Sequence, residues 1–281
     1  MPKVSLIVPC YNMGNFLDET INSALESTFQ DFEIVIVNDG STDDYTNKLL
    51  SNYNKPKTKV IHTKNKGLVS ARNTALANST GEYILPLDAD DRISPQYIQL
   101  AVEHFDSHPN TGIVYCIAER FGEKTGIWEF PEFNIEKMLY QNLIFNCSFF
   151  RRKDIDTIGG YSTKMEYHYE DWDLWLSILE LGRDVYRIPA IHHYYRVHKE
   201  SRTFSRDYQN KMKTTNRNLY LNHLNLYAKY YADPINLFIE NKRLKSEFEE
   251  QVKWIYSSVD YRLGKAILKP LRFFKNLIKP N

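Results

Sequence analysis

The chain has 281 residues, 42% apolar and 25% charged, a composition that excludes a disordered or fibrous protein and can bury a core without disulfides or a structural metal. A net charge of +1 gives no global field toward nucleic acid, so no nucleic-acid partner is expected. Cys10, Cys116 and Cys147 are far apart, which points to a reducing compartment and excludes a cysteine zinc site.

The start, Met-Pro-Lys-Val, carries no signal-peptide pattern, and no run of about 18 apolar residues offers a spanning helix. Val4 to Val8 is a short apolar run that ends at Pro9 and fits a buried strand. Asn15 to Leu25 has apolar residues at helical spacing. Phe32 to Val37 reads as a second strand and stops at Asn38-Asp39-Gly40, after which Ser41 or Thr42 can cap a helix. Lys59 to His62 is a weaker strand, Gly67 to Ala77 a helix, and Tyr83 to Leu87 a strand running into Asp88-Ala89-Asp90-Asp91. Strand and helix alternate as in a parallel α/β sheet, where ligands bind beyond the carboxyl ends of the strands. Three polar strand ends therefore converge on one edge.

No G-x-G-x-x-G follows the first strand and no G-x-x-x-x-G-K-[ST] occurs, which excludes a nicotinamide or flavin Rossmann site and a P-loop. Asp88, Asp90 and Asp91 would repel one another unless a cation lies between them, and carboxylates suit Mn²⁺ or Mg²⁺ with diphosphate oxygens completing the shell. A solvated acidic turn or helix cap before Ser94-Pro95 is the alternative.

Four ordered motifs resemble family 2 glycosyltransferases, which have the GT-A fold. They are Ser5-Leu6-Ile7-Val8-Pro9-Cys10-Tyr11-Asn12, Val37-Asn38-Asp39-Gly40-Ser41-Thr42-Asp43, Gly67-Leu68-Val69-Ser70-Ala71-Arg72-Asn73 and Leu87-Asp88-Ala89-Asp90-Asp91. The resemblance covers roughly residues 3 to 200. It implies an α/β GT-A fold, a parallel-core mixed sheet flanked by helices, over 1–205. Residues 1–92 would form the nucleotide-sugar half, residues 93–205 the acceptor half, and residues 206–281 a helical extension. By the same resemblance Asp39 would accept from the uracil imide, Pro9 and Tyr11 would line the base pocket, and Arg72 would reach the base or diphosphate. Asp88, beside Ala89, would contact ribose or metal, and Asp90 would be the main metal ligand. Asp39 in a local Asx-turn and Arg72 as an exposed helix residue are the alternatives.

In the second half, Ile113 to Cys116, Gly126 to Phe130, Phe145 to Phe150 and Ala190 to Tyr195 read as strands. Trp172, Trp175, Leu176 and Leu179 share one helical face behind Glu170 and Asp171. The pair resembles the family's E-D motif. Asp171 would be the catalytic base of an inverting transfer and Glu170 an orienting neighbour; both acids merely complementing a helix dipole is the alternative. Ser177 stands where family members often carry Arg. Further on, Arg196 and His198 resemble a basic residue and a His that close over the diphosphate, Arg196 as phosphate partner and His198 as metal ligand, with His192 and His193 competing for the role.

The activity implied is transfer from a nucleotide sugar, expected to be UDP-linked, to a saccharide hydroxyl, the acceptor free or lipid-linked, in bacterial surface-polysaccharide synthesis. A nucleotidyltransferase or an inactive saccharide-binding module are the alternatives, and a homodimer is admitted.

Residues 206–258 look helical, with Leu237, Leu244, Phe248 and Ile255 as a partial heptad seam. After Asp260 come Arg262, Lys265, Lys269, Arg272, Lys275 and Lys279 with no acidic residue. Opposite them lies an apolar face, the pattern of a helix lying on a membrane surface over 261–281. A core-packing helix is the alternative. The protein is therefore expected in the cytoplasm, peripheral to the inner face of the membrane.

Overall fold

A computed structural model describes residues 1–128, 130–198, 208–231 and 233–265. The compact units are Met1–Tyr227 and Ala228–Asn281. The expected boundary between residues 205 and 206 lies outside the described residues.

In the first unit β1 (Val4–Cys10), β2 (Phe32–Asp39), β3 (Thr58–Thr63) and β4 (Tyr83–Pro86) alternate with helices α1 (Gly14–Leu25), α2 (Asp44–Ser51) and α3 (Leu68–Ala77). β5 (Arg92–Ile93), α4 (Tyr97–Ser107), β6 (Thr111–Gly122), β7 (Gly126–Trp128) and α5 (Ile135–Met138) follow. Then come β8 (Phe149–Arg151), α6 (Arg152–Ile158), α7 (Glu170–Glu180), β9 (Asp184–Val197), α8 (Tyr208–Asn222) and α9 (Leu224–Tyr230), whose last three residues belong to the second unit. The nine strands form one sheet in the order β3-β2-β1-β4-β8-β6-β9-β5, with β7 paired to β6. β3, β2, β1 and β4 are parallel, β8 is antiparallel to β4 and β6, and β9 runs parallel to β6. β1 is buried along its whole length, because it pairs on both sides and is covered by helices; such strands read as unbroken apolar runs.

Four local expectations are corrected. β1 does not stop at Pro9 but continues to Cys10, since Pro9 lies beyond the last β1–β4 pair, Ile7 with Pro86. α2 is capped by Asp43, whose carboxylate accepts from the Thr46 N–H at 2.7 Å. Ser41 and Thr42 are instead held by Asn12, at φ 56°, which ties the ends of β1 and β2 together. α4 is an additional helix that buries Tyr97, Ile98, Ala101, Val102 and Phe105. Of the strand expected over Phe145 to Phe150, only Phe149 and Phe150 are extended; the preceding residues form a loop whose carbonyls are taken by side chains.

In the second unit, α10 (Pro234–Ser257) starts at an Asp233 cap, and its Leu237, Leu244, Phe248 and Ile255 are exposed. Residues 259–265 are also helical, and the rest of the expected basic tail lies outside the described residues. No described helix is long and apolar enough to cross a membrane.

Candidate active site

The carboxyl edge of the sheet collects the acidic groups. Asp39 ends β2 and is buried. Its oxygens accept from the backbone N–H groups of Lys66 (3.0 Å) and Gly67 (2.9 Å), so it shapes the entry to α3. Tyr11, just past β1, is 42% exposed and open to a ligand, whereas Pro9 is buried in the strand.

After β4 the chain turns, with the Asp91 N–H donating to the Asp88 carbonyl at 3.1 Å. Ala89 is fixed by the Thr20 hydroxyl on its carbonyl. Asp91 is buried and takes His193 Nε2 at 2.8 Å and the Arg196 N–H at 2.9 Å, which makes it a structural anchor. Asp90 faces His198 Nε2 at 3.0 Å, a pair joining β4 to the end of β9. Burial, Asp91 and Asp88 push the Asp90 carboxyl up to about 7, against the lowering effect of His198. His192 is engaged by Ser94 and His193 by Asp91, so of the three histidines it is His198 that the structure brings to Asp90.

Arg196 donates from Nε to the Asp90 carbonyl and pairs with Glu19, its guanidinium lying over Phe16 and Phe121. Its partners are thus groups of this chain that brace the acidic turn. Arg72 is likewise internal. It is 1% exposed and bridges Glu170 (2.7 Å) and Asp88 (3.0 Å) across the Tyr161 ring. A fully buried guanidinium between two carboxylates is a positioning group, and the alternative of an exposed helix residue is corrected.

Glu170 and Asp171 open α7. Tyr169 before them sits at φ 66°, a left-handed conformation that a bulky residue adopts only under strain, and its ring packs against Trp172 at 4.9 Å. The buried apolar face of α7 holds the helix, while the Trp172 and Trp175 indoles donate to the carbonyls of Met138 (2.7 Å) and Ile144 (3.0 Å). Ser177 bonds back to the Asp173 carbonyl within the helix. Asp171 is half-buried, accepts from Asn142 Nδ2 at 3.1 Å and from the Trp172 N–H at 2.7 Å, and has no cationic side chain bonded to it among the described residues. Burial and the neighbouring Glu170 charge push its carboxyl up to about 7, opposed by Arg72 and these two hydrogen bonds.

Asn142 and Asn146 are absent from the sequence expectations. Both lie on the loop 139–148, Asn142 reaching Asp171 and Asn146 Nδ2 reaching Asp88 Oδ1 at 3.2 Å. The loop is pinned by the two indoles, by Tyr97 Oη on the Cys147 carbonyl and by Tyr227 Oη on the Leu139 carbonyl. The sequence signal for it was a pair of asparagines, of which Asn146 falls inside the stretch Phe145 to Phe150 that reads as a strand.

Whether this site suits a divalent cation is a matter of its donors. Asp90 and His198 already meet, and both hydrogen bonds of Asp88 arrive on Oδ1. Among the described residues no group of three or more His, Cys, Asp or Glu side chains is arranged to hold a metal ion. A site of the Mg²⁺ or Mn²⁺ kind needs few carboxylates, because substrate phosphates complete its shell.

Comparison with known proteins agrees with this architecture. The family model for glycosyl transferase family 2 matches residues 5–162. The chain belongs to that family. It is 30% identical over 190 residues to a chondroitin synthase of Pasteurella multocida and 29% identical over 187 residues to one of Escherichia coli. Each match takes in 65% of this chain but only 19% and 27% of those synthases, so the chain spans between about a fifth and just over a quarter of their length. An uncharacterized glycosyltransferase of Haemophilus influenzae aligns over 98% of this chain and 92% of its own length at 29% identity. The fold is GT-A, as in S. aureus TarS residues 1–349 solved with UDP-GlcNAc. That structure has a TM-score of 0.63 at 22% identity, covering 92% of this chain and 80% of that one.

Proposed function

We propose that this glycosyltransferase moves a sugar from a UDP-sugar to a saccharide hydroxyl with inversion at the anomeric carbon, Asp171 being the base. The observation that carries the reading is the division of labour between two adjacent acids. Glu170 is neutralised by buried Arg72, whereas Asp171 is partly accessible, held by an amide and a backbone N–H, and poised at about 7. A general base works best with its pKa near the operating pH. A single unpaired carboxylate of this kind suits a one-step displacement.

Asp171 takes the acceptor O–H proton as that oxygen bonds to the anomeric carbon. The bond from that carbon to the diphosphate oxygen breaks, and its electron pair leaves with UDP. Glu170, locked by Arg72, fixes the start of α7 and so the position of its neighbour. A divalent cation held by Asp90 and His198, with Asp88, would supply charge stabilisation to the diphosphate. Tyr11 and Asp39 mark the base end of the donor, at β1 and β2. The polysaccharide synthases among the relatives and the UDP-GlcNAc complex of the TarS neighbour support a UDP-sugar and a saccharide acceptor.

The basic segment over 261–281 would hold the enzyme against the cytoplasmic face of a membrane, near a lipid-linked acceptor. UDP release from mixed UDP-sugars and saccharide acceptors, with and without Mn²⁺, tests the activity. Release of pyrophosphate from a nucleoside triphosphate instead would overturn it in favour of nucleotidyl transfer.

A further inference from the structure

Asn146 has one end of its amide committed and the other end empty. Its Nδ2 donates to Asp88 Oδ1, which also receives Arg72 Nη2. A carboxylate accepts and cannot donate, so it fixes which end of the amide faces it. The carbonyl oxygen, Asn146 Oδ1, then points the other way. It is buried and has no hydrogen-bond partner among the described residues. Buried acceptors of this kind are rare and costly, and a ligand donor removes the penalty.

The sheet order says which part of a ligand that would be. Asp39 ends β2, Tyr11 follows β1, Asp88 follows β4, and Asn146 precedes β8, the next strand in the sheet. β8 is antiparallel to β4, so its beginning lies at the carboxyl edge of the parallel strands. A donor with its base at β2 and β1 and its diphosphate near Asp88 places its sugar one strand further on. The same loop carries Asn142 to Asp171, the proposed base, so this end of the edge is also where the anomeric carbon has to sit.

We infer that Asn146 Oδ1 reads a hydrogen-bond donor, a hydroxyl or an acetamido N–H, on the transferred sugar. It is thereby a specificity-determining residue. The inference rests on the UDP-sugar reading above.

The test is titration calorimetry in Mn²⁺ on the full chain and on Asn146→Ala. The probes are UDP, UDP-glucose, UDP-galactose, UDP-N-acetylglucosamine, UDP-N-acetylgalactosamine and UDP-glucuronate, followed by deoxy or deacylated analogues of the tightest sugar. In the variant UDP is expected to bind within about twofold of the parent, while the preferred UDP-sugar weakens about tenfold, the size of one hydrogen bond. One analogue should cost the parent the same factor and cost the variant nothing, the non-additivity of two partners in contact.

Equal weakening of UDP and UDP-sugar, or strictly additive losses for every analogue, would overturn the inference and leave the donor reading standing. If the parent binds none of the six probes, the donor reading fails and the inference with it. Asn146→Ser provides the same comparison should the alanine variant not fold.

Discussion

Arg72 on α3 and Glu170 at the start of α7 meet at 2.7 Å although they lie 98 positions apart. The contact fastens α3, which packs on β1 and β2, to the helix that carries Asp171. Arg72 is buried and its second pair is with Asp88, so removing it strands two carboxylates at once. Arg72→Ala is expected to lower unfolding free energy by about 3–5 kcal/mol, the cost of breaking a buried ion pair from one side. Urea denaturation checks this, and an unchanged midpoint would show that the bridge does not hold the halves together.

Asp171→Asn is expected to cut turnover by about 10²–10⁴-fold, the contribution of a general base. UDP affinity should barely move. In the parent enzyme the rate should rise with pH and level off above about 7, because the base acts only when ionised and its carboxyl titrates there. A pH–rate profile that is flat from pH 5 to pH 9 under single-turnover conditions would remove Asp171 from the role.

The same group makes a prediction about stability that needs no substrate. Its folded pKa, about 7, is raised above the value for a free Asp, 3.8. Between those values the folded state binds the proton that the unfolded state has lost. The stabilisation is full below about pH 4 and is lost as pH rises through about 7. Asp171→Asn, which cannot ionise, should therefore melt higher than the parent at pH 8, by a margin that shrinks toward pH 4. Melting curves of both proteins across that range decide it; a constant difference would contradict the assigned shift.

Asp90→Ala should abolish transfer and weaken nucleotide-sugar binding in Mn²⁺, while Arg196, which meets Asp90 through its backbone carbonyl and not its carboxylate, keeps that contact. Calorimetry showing unchanged, metal-dependent UDP binding in the variant would reject Asp90 as a ligand.

The tail prediction concerns six basic side chains after Asp260. Each contributes roughly 1 kcal/mol near an anionic bilayer, and salt screens the effect. Ending the chain after Asp260 should release it from anionic liposomes and leave UDP binding intact. Equal cosedimentation of both forms at low salt would end the membrane proposal.

The strand ends were legible because each follows an apolar run whose burial on both faces leaves its mark in the sequence. Asp39, Asp88 and Asp90 could be placed on one edge from that pattern alone. The first turn of α7 was legible through the spacing of Trp172 and Trp175. What could not be read is how these pieces are held. Arg72 is an ordinary helix residue by local sequence, and its burial is fixed by Glu170 and Asp88, which only the fold brings near. Asn142 and Asn146 sit on a loop whose shape is set by indole and phenol groups from α4, α7 and α9, so no local pattern records their direction. The Asp90–His198 pair, 108 positions apart, depends on the course of β9 in the same way.

The hydrogen bond from Tyr227 to the Leu139 carbonyl bears on how short a working enzyme is expected to be. A polypeptide cut where the family match ends, at residue 162, lacks Asp171 altogether. One cut at residue 205 keeps every acid of the site but loses the phenol that clamps the loop bearing Asn142 and Asn146, together with His223 and Asn222, which neutralise and bind buried Asp173 in α7. The smallest piece of this chain expected to keep these contacts therefore extends past α8 into α9. Its last residues would serve, without meeting substrate, to keep the loop of Asn142 and Asn146 at its height above the sheet.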